Sequence, residues 1–279
     1  MQDRDLHDQR LTIPNGAAGL NAKLSLAHPG RPLLILAHGF AGNKDENGLF
    51  TAARDYFGGC DFSVLRFDFR GCGENDDSFR TVRLVDLQSD LEAVVAFARS
   101  SVPHSGLGLV SFSLASAVSI LVNPRVKAQV FWSPAIYTDR DMYARHQTDE
   151  ILDSIQNRGY FVKAGLEVGP QFLEDLKSNQ VIGSLSKFSR PTLMIHGTAD
   201  ERIPWTSTLA VSRRFPKLKL CRIPDAGHSF KNKPEFRELV FSATADFFGK
   251  QFVKRRSKPQ QYCLQDNADA TQPSAASSV

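Results

Sequence analysis

Three residues whose side chains could act together in acyl transfer each follow an apolar run: Ser113, Asp200 and His228. A serine hydroxyl is a weak nucleophile at neutral pH, so it needs a base to accept its proton and an acid to orient that base. The apolar runs are typical of buried strands. Because the carboxyl ends of parallel strands meet at one edge of a sheet, we expect the three side chains to lie close together.

Ser113 stands at the junction of two patterns. The apolar run 107–110 predicts a short buried strand, and an Ala-rich helical pattern begins directly after the serine. Strand, sharp turn and helix make up a nucleophile elbow, which presents the serine hydroxyl at the edge of a sheet. The elbow usually has glycine two residues before and after the serine, whereas this chain has Ser111 and Ala115. A serine that only caps a helix is the alternative interpretation.

The base and the acid are assigned from their positions after later strands. His228 follows the last predicted strand, and Asp200 follows the strand before it. Two other carboxyl groups compete for the role of the acid. Asp225 lies three residues before His228, too close in sequence to reach round easily, and Glu201 is adjacent to Asp200.

The remaining histidines and several aromatic residues have plausible structural roles. His38 and His196 each precede a glycine at a strand end, and we interpret them as residues that support loops. His104 and His146 are expected on the surface. Trp132 could be a core residue or a substrate contact. The same two alternatives apply to the aromatic residues of the segment that follows it, namely Tyr137, Tyr143, Tyr160, Phe161 and Phe172.

Strand and helix patterns alternate through most of the chain. Strands at 11–14 and 20–27 flank a turn at Asn15 and Gly16, which predicts an antiparallel hairpin at a sheet edge. The other strands are predicted at 32–37, 62–67, 107–110, 128–132, 191–195 and 218–223. Helices are predicted at 49–57 and 81–99, after Ser113, and at 205–215 and 236–248. This alternation predicts an α/β fold with a mostly parallel central sheet flanked by helices.

The alternation is interrupted once, and it stops near the end of the chain. Residues 134–189 are more polar, with helical patches and aromatic residues, and predict an inserted cap over the carboxyl edge of the sheet. Residues 1–133 and 190–253 would form the core domain. Residues 254–279 lack apolar periodicity and predict a disordered tail.

Composition excludes several classes of protein. The chain has 279 residues, 42% apolar and 23% charged, with a net charge of +4 and four scattered cysteines. The cysteine spacing predicts no metal site, and with no other cofactor motif we expect no cofactor and a cytoplasmic setting. No apolar run is long enough for a membrane span, and the charged N-terminus predicts no secretory leader. The basic cluster at 254–258 is interpreted as solvated rather than as a nucleic-acid site.

Five motifs stand in order at predicted strand ends: His38-Gly39-Phe40, Arg70-Gly71-Cys72-Gly73-Glu74, the elbow at Ser113, His196-Gly197-x-x-Asp200 and Gly227-His228-x-Phe230. Together they resemble the α/β-hydrolases of the serine esterase type. The resemblance covers roughly residues 11–250, and the order Ser, Asp, His matches that family. Residues 39–44 and 65–71 are further similar to the cinnamoyl and feruloyl esterase branch of bacterial hydrolases, which also carries an inserted cap.

The resemblance implies a serine carboxylesterase that acts on a small-molecule ester, with phenolic-acid esters as the favoured substrates. It also implies that the backbone N–H groups of Phe40 and Leu114 form the oxyanion hole. An aminopeptidase or amidase on the same scaffold is an alternative, and would need clustered carboxylates to bind a free amine. The candidates for that cluster are Asp149, Glu150 and Glu167. A non-catalytic binding module is a third hypothesis, and the oligomeric state stays open.

Overall fold

The structure of the chain is a computed structural model that describes residues 7–16, 18–178 and 181–252. The predicted tail at 254–279, with its basic cluster, lies outside the described residues. Within the described part, no helix is long and apolar enough to cross a membrane.

Strands and helices alternate along the first part of the chain, as the sequence predicts. These elements are β1 (Asp8–Asn15), β2 (Ala18–Ser25), β3 (Leu33–Ala37), α1 (Leu49–Gly59), β4 (Ser63–Phe67), α2 (Leu84–Ser101), β5 (Leu107–Phe112), α3 (Leu114–Val122) and β6 (Ala128–Trp132). Single 3₁₀ turns at Glu46–Gly48 and Phe79–Thr81 precede α1 and α2.

The segment 134–189, called the insert below, separates β6 from the last two strands. It contains a π-helical turn (Thr138–Tyr143), α4 (Asp149–Arg158), β7 (Phe161–Lys163), β8 (Leu166–Val168), α5 (Pro170–Lys177) and α6 (Val181–Ser184). The β7–β8 hairpin was not predicted, because strands of three residues are too short to show alternation. The chain then forms β9 (Thr192–Gly197), α7 (Trp205–Arg214), β10 (Leu218–Ile223) and α8 (Pro234–Phe252).

Eight strands form one sheet, in the order β1-β2-β4-β3-β5-β6-β9-β10. The β1–β2 hairpin joins antiparallel at one edge. The other six strands of this sheet, β4, β3, β5, β6, β9 and β10, pair parallel. The mostly parallel sheet predicted from the sequence is confirmed. All residues of β3, β4, β5, β6 and β9 are buried, because helices cover both faces of the sheet.

The hydrophobic core has one cluster on each face of the sheet. The cluster that includes α2 and α3 also contains buried residues of the insert, and α1 and α8 cover the other. Trp132 belongs to the second cluster. Its indole N–H donates to Thr244 Oγ1 at 2.9 Å, and its ring lies 6.0 Å from that of Phe50. Trp132 is therefore a core residue and the substrate-contact alternative is wrong.

The insert is fastened to the core near the carboxyl ends of the strands. Asp175 of α5 accepts hydrogen bonds from Arg83 Nε at 2.8 Å and from the backbone N–H of Leu84 at 2.9 Å. At the other end of the insert, Arg145 Nη1 donates to the carbonyls of Glu201 and Arg202, with the first contact at 2.8 Å. Both attachments place the insert against loops that follow the sheet.

Candidate active site

Ser113 occupies a sharp turn between β5 and α3. Its backbone has φ 53° and ψ −117°, a conformation that is unfavourable for a residue with a side chain. The turn is held by hydrogen bonds from Ser113 N to Trp132 O at 2.9 Å and from Ala135 N to Ser113 O at 3.2 Å. The Ser113 side chain makes no capping hydrogen bond to α3, so the helix-cap interpretation is wrong.

The two residues that replace the usual glycines of the elbow are both buried, and the hydroxyl of Ser111 is hydrogen-bonded. Ser111 is fully buried, and its Oγ lies 2.6 Å from Ser119 Oγ on α3. Ser116 Oγ donates to Ser111 O at 3.1 Å, and Ala115 is buried. The extra atoms at position 111 therefore form a hydrogen-bonded link between strand and helix.

The structure brings the three residues predicted from the sequence into one hydrogen-bonded line. His228 Nε2 lies 3.1 Å from Ser113 Oγ, and His228 Nδ1 lies 2.8 Å from Asp200 Oδ2. Asp225 and Glu201 are exposed, and the Nδ1 hydrogen bond goes to neither of them. In this geometry Nε2 can accept the serine proton while Nδ1–H is held by a carboxylate.

The Asp200 side chain is fully buried and receives four hydrogen bonds. Its Oδ1 accepts from the backbone N–H groups of Arg202 at 2.8 Å and Ile203 at 2.9 Å, and its Oδ2 accepts from His228 and His196. Burial by itself would raise the pKa of this carboxyl. The hydrogen bonds from His196 and His228 outweigh it and hold the pKa well below its ordinary value. Asp200 is therefore ionised at neutral pH.

His196 contacts the same oxygen of Asp200 as His228 does. It lies within β9, not after it, and is fully buried. Its Nε2 has two acceptors at 3.0 Å, Asp200 Oδ2 and Ile203 O, so this nitrogen carries a hydrogen. Its Nδ1 lies 2.7 Å from the Thr208 hydroxyl. From the sequence, His196 was expected only to support a loop. His196 lies in a strand and Asp200 in the loop after it, so no sequence periodicity signals their contact.

The backbone of residues 39–40 lies against the elbow. A Cβ on Gly39 would be 3.2 Å from Ser113 Cβ and 3.1 Å from Phe112 Cδ1, so glycine permits this close approach. In the part of the chain that the structure describes, neither Phe40 N–H nor Leu114 N–H donates a backbone hydrogen bond. Leu114 also opens α3, where the helix dipole favours negative charge.

An apolar cleft is lined by Phe40 and Leu114, among other residues. Cys72 lies in its wall, where burial raises the pKa of the thiol and keeps it protonated. His38, also in the wall, has no free nitrogen. Its Nδ1 donates to Gly39 O at 2.8 Å, its Nε2 accepts from Phe69 N at 3.0 Å, and burial lowers its pKa to about 4. The other lining residues are Gly39, Ala41, Phe69, Phe79, Leu87, Ala115 and Val118.

The Phe40 side chain is the contact between this loop and the insert. Its ring stacks on Phe172 at 5.1 Å and meets His146 edge-on at 5.8 Å. His146 is buried, with Nδ1 donating to Met142 O at 2.8 Å and its ring 5.6 Å from that of Phe161. The prediction that His146 lies on the surface is wrong, because these aromatic neighbours cover it.

A family model described as the alpha/beta hydrolase family matches residues 34–235, well over half of the sequence. This chain belongs to the α/β-hydrolase family. The fold predicted from the motifs is thereby confirmed for this α/β-hydrolase. No curated protein sequence matches it. Among its described residues, no group of three or more histidines, cysteines or carboxylates is placed to hold a metal ion.

Solved structures share the fold of this α/β-hydrolase over most of its length. Est1E from Butyrivibrio proteoclasticus, with ferulic acid bound, is 23% identical with a TM-score of 0.77, covering 88% of this chain and 100% of its own. The Pyrococcus furiosus esterase Pf2001 is 17% identical with a TM-score of 0.69, covering 89% and 92%. Alpha/beta hydrolase domain-containing protein 10 from mouse is 18% identical with a TM-score of 0.69, covering 87% and 99%.

Proposed function

We propose that this α/β-hydrolase is a serine carboxylesterase that works through an acyl-enzyme intermediate. The observation that carries the proposal is the hydrogen-bonded line from Ser113 Oγ through His228 to Asp200. Ser113 Oγ attacks the ester carbonyl carbon while His228 Nε2 takes its proton. His228 then gives that proton to the departing alcohol, and water repeats the sequence on the acyl-enzyme to release the acid. Asp200 stays ionised and stabilises the imidazolium.

The negative charge that develops on the carbonyl oxygen needs donors beside Ser113. The backbone N–H groups of Phe40 and Leu114 are the proposed pair, because both border the cleft and neither has another backbone partner in the described chain. Loss of one such donor typically lowers kcat by about 10²–10³-fold. The donors belong to the main chain, so replacing the Phe40 or Leu114 side chain does not remove them.

The proposed substrate is a small-molecule ester with an apolar acyl group, and phenolic acids such as ferulate are the favoured class. The support is the cleft lined by Phe40 and Leu114, whose walls are almost entirely apolar, and the similarity to Est1E with ferulic acid bound. We further propose that the insert at 134–189 acts as a cap, since it packs on Phe40. A cytoplasmic setting and the absence of nucleic-acid and membrane partners stay predictions.

The test is turnover of p-nitrophenyl acetate and of methyl ferulate by the Ser113→Ala variant. We expect a loss of at least about 10⁴-fold for both esters with an unchanged unfolding midpoint. Ser116→Ala is the matched control, because it removes another buried hydroxyl from the same elbow. Undiminished turnover by Ser113→Ala would overturn the proposal.

Two parallel measurements separate the alternatives. Faster turnover of aminoacyl naphthylamides than of esters would favour an aminopeptidase. Failure of the wild-type protein to react with a fluorophosphonate probe would favour a binding module. The carboxylates that an aminopeptidase would need are all exposed, on the first turn of α4 and on β8: Asp149, Glu150 and Glu167.

A further inference from the structure

Glu46 places a buried carboxyl group beside the loop that carries Phe40. It lies in the 3₁₀ turn between β3 and α1, and only 8% of the residue is exposed. Its Oε2 accepts a hydrogen bond from Gly39 N at 2.9 Å. Gly39 directly precedes Phe40, so this contact fixes the peptide group next to the proposed oxyanion donor.

The backbone around the buried Glu46 side chain is strained. Glu46, Asn47 and Gly48 have φ values of 43°, 50° and 83°, three successive residues in the left-handed region. Such a conformation persists only where its surroundings enforce it. Here the Asn43 side chain accepts hydrogen bonds from Asp45 N at 2.9 Å and Glu46 N at 3.1 Å.

The loop that carries Phe40 is also shaped to receive this carboxyl. A Cβ on Gly42 would collide with Glu46 Oε2, so the residue at 42 must be glycine or the carboxyl must move. Gly42 N donates to Gly39 O at 3.1 Å, which closes the loop into a turn around the carboxyl. The positive φ values, the burial of Glu46 and the missing side chain at Gly42 all accompany the hydrogen bond from Gly39 N to Glu46 Oε2.

We infer that Glu46 is a positioning residue of the proposed esterase site, which holds the Gly39–Phe40 segment so that Phe40 N–H faces the developing oxyanion. The inference rests on the proposed function. Glu46 itself touches neither Ser113 nor His228 through any hydrogen bond in the described chain. Its effect on the reaction is therefore expected in the transition state, where the oxyanion forms, and not in substrate binding.

The surroundings of Glu46 also give the site a pH dependence. Burial raises the pKa of Glu46 to about 7, although the Gly39 N–H and the positive charges of Lys231 and Arg202 act in the opposite direction. The buried Cys72 thiol is a further titratable group near this carboxyl. The ionised carboxylate accepts the Gly39 hydrogen bond more strongly than the neutral acid does.

The decisive variants are Glu46→Gln and Glu46→Ala, measured with p-nitrophenyl acetate. At about pH 8 we expect Glu46→Ala to lower kcat by roughly 10–100-fold, which is less than the effect of losing an oxyanion donor outright. KM should change little, and Glu46→Gln should restore part of kcat because its amide oxygen still accepts from Gly39 N. Glu201→Gln is the matched control, since it removes an exposed charge near the triad without contacting Gly39.

Two readouts distinguish positioning from a merely structural role. The ratio of wild-type to Glu46→Gln kcat should rise as pH passes through about 7, because only the wild-type protein gains the stronger carboxylate acceptor for the Gly39 N–H there. Affinity for a trifluoromethyl ketone, which forms an oxyanion on Ser113, should fall in parallel with kcat.

The outcomes that contradict the inference are distinct from those that contradict the esterase proposal. An unchanged kcat in folded Glu46→Ala, or a Glu46→Gln ratio that is flat with pH, would overturn the inference alone. Turnover retained in Ser113→Ala would overturn the esterase proposal as well. If Glu46→Ala does not fold, the isosteric Glu46→Gln variant carries the test by itself.

Discussion

Asp200 and Glu46 are both buried carboxyl groups in loops that follow strands of the sheet, yet their pKa values move in opposite directions. Asp200 receives four hydrogen bonds, two from backbone N–H groups and two from histidines. Glu46 accepts one, from Gly39. Burial acts on both by disfavouring the charged form. The number of donors aimed at each carboxyl therefore decides that Asp200 stays ionised while Glu46 titrates near pH 7.

The difference matches the work proposed for each group. An acid that supports an imidazolium must keep its charge throughout the reaction, and four donors secure that charge. A group that only orients a peptide does not need a permanent charge, and Glu46 keeps its hydrogen bond to Gly39 in either protonation state, with different strength. Burial alone is thus a poor guide to which buried carboxyl performs chemistry.

The largest expected effect concerns the acid. Asp200→Asn should lower kcat by about 10⁴-fold, because an amide cannot compensate the imidazolium and can hold His228 in the wrong tautomer. Asp225→Asn serves as the control and should stay within about twofold of wild type, since its side chain is exposed. A comparable loss in both variants would show that Asp200 is not the sole partner of His228.

The next effect concerns stability and distinguishes the two carboxyls directly. The folded protein binds the Glu46 proton more tightly than the unfolded chain, because the pKa rises from 4.5 to about 7. The stability that this group contributes is complete below pH 4.5 and is lost as pH rises through about 7. The loss amounts to up to about 3 kcal/mol at 1.36 kcal/mol per pKa unit.

Urea unfolding of wild type and Glu46→Gln at about pH 5 and about pH 8 measures this loss. The variant should gain stability relative to wild type at the higher pH. Asp200 behaves in the opposite sense, because its folded pKa lies below the unfolded value of 3.8 and its contribution is lost only in stronger acid. An equal difference in unfolding free energy between the two proteins at both pH values would contradict the titration of Glu46 near pH 7.

The smallest expected effect concerns His196, the second histidine that hydrogen-bonds to Asp200. His196→Gln should lower kcat by roughly tenfold and the free energy of unfolding by about 1–3 kcal/mol, as for the loss of a hydrogen bond to a buried charge. His7→Gln is the control, because that histidine is exposed in the part of the chain that the structure describes. If unfolding and turnover are unchanged in His196→Gln, the three remaining hydrogen bonds to Asp200 are sufficient to keep it in place and ionised.

The sheet and the three residues of the proposed triad were accessible from sequence because their signals are local. The strand predictions rest on runs such as 107–110, and Ser113, Asp200 and His228 each follow such a run. The rule that parallel strands present their carboxyl ends at one edge then brings them together. The observed 3.1 Å and 2.8 Å contacts agree with that expectation.

The supporting residues were not accessible, because their roles depend on contacts between distant elements. Glu46 lies in a charged, turn-forming stretch and looks like a solvated loop residue, although its side chain is buried and bound to Gly39 N. His146 lies in a polar segment, but the rings of Phe40 and Phe161 both pack against it. Whether the insert at 134–189 covers substrate stays a prediction.

Arg145 affects the electrostatics of the loop that carries Asp200. It donates to the carbonyls of Glu201 and Arg202, and the N–H ends of those same two peptide groups point at Asp200 Oδ1. Two peptide dipoles are therefore aligned in parallel between a guanidinium and a carboxylate. Hydrogen bonds in such a series polarise one another, so a positive charge on the insert strengthens both donors to Asp200 through the main chain.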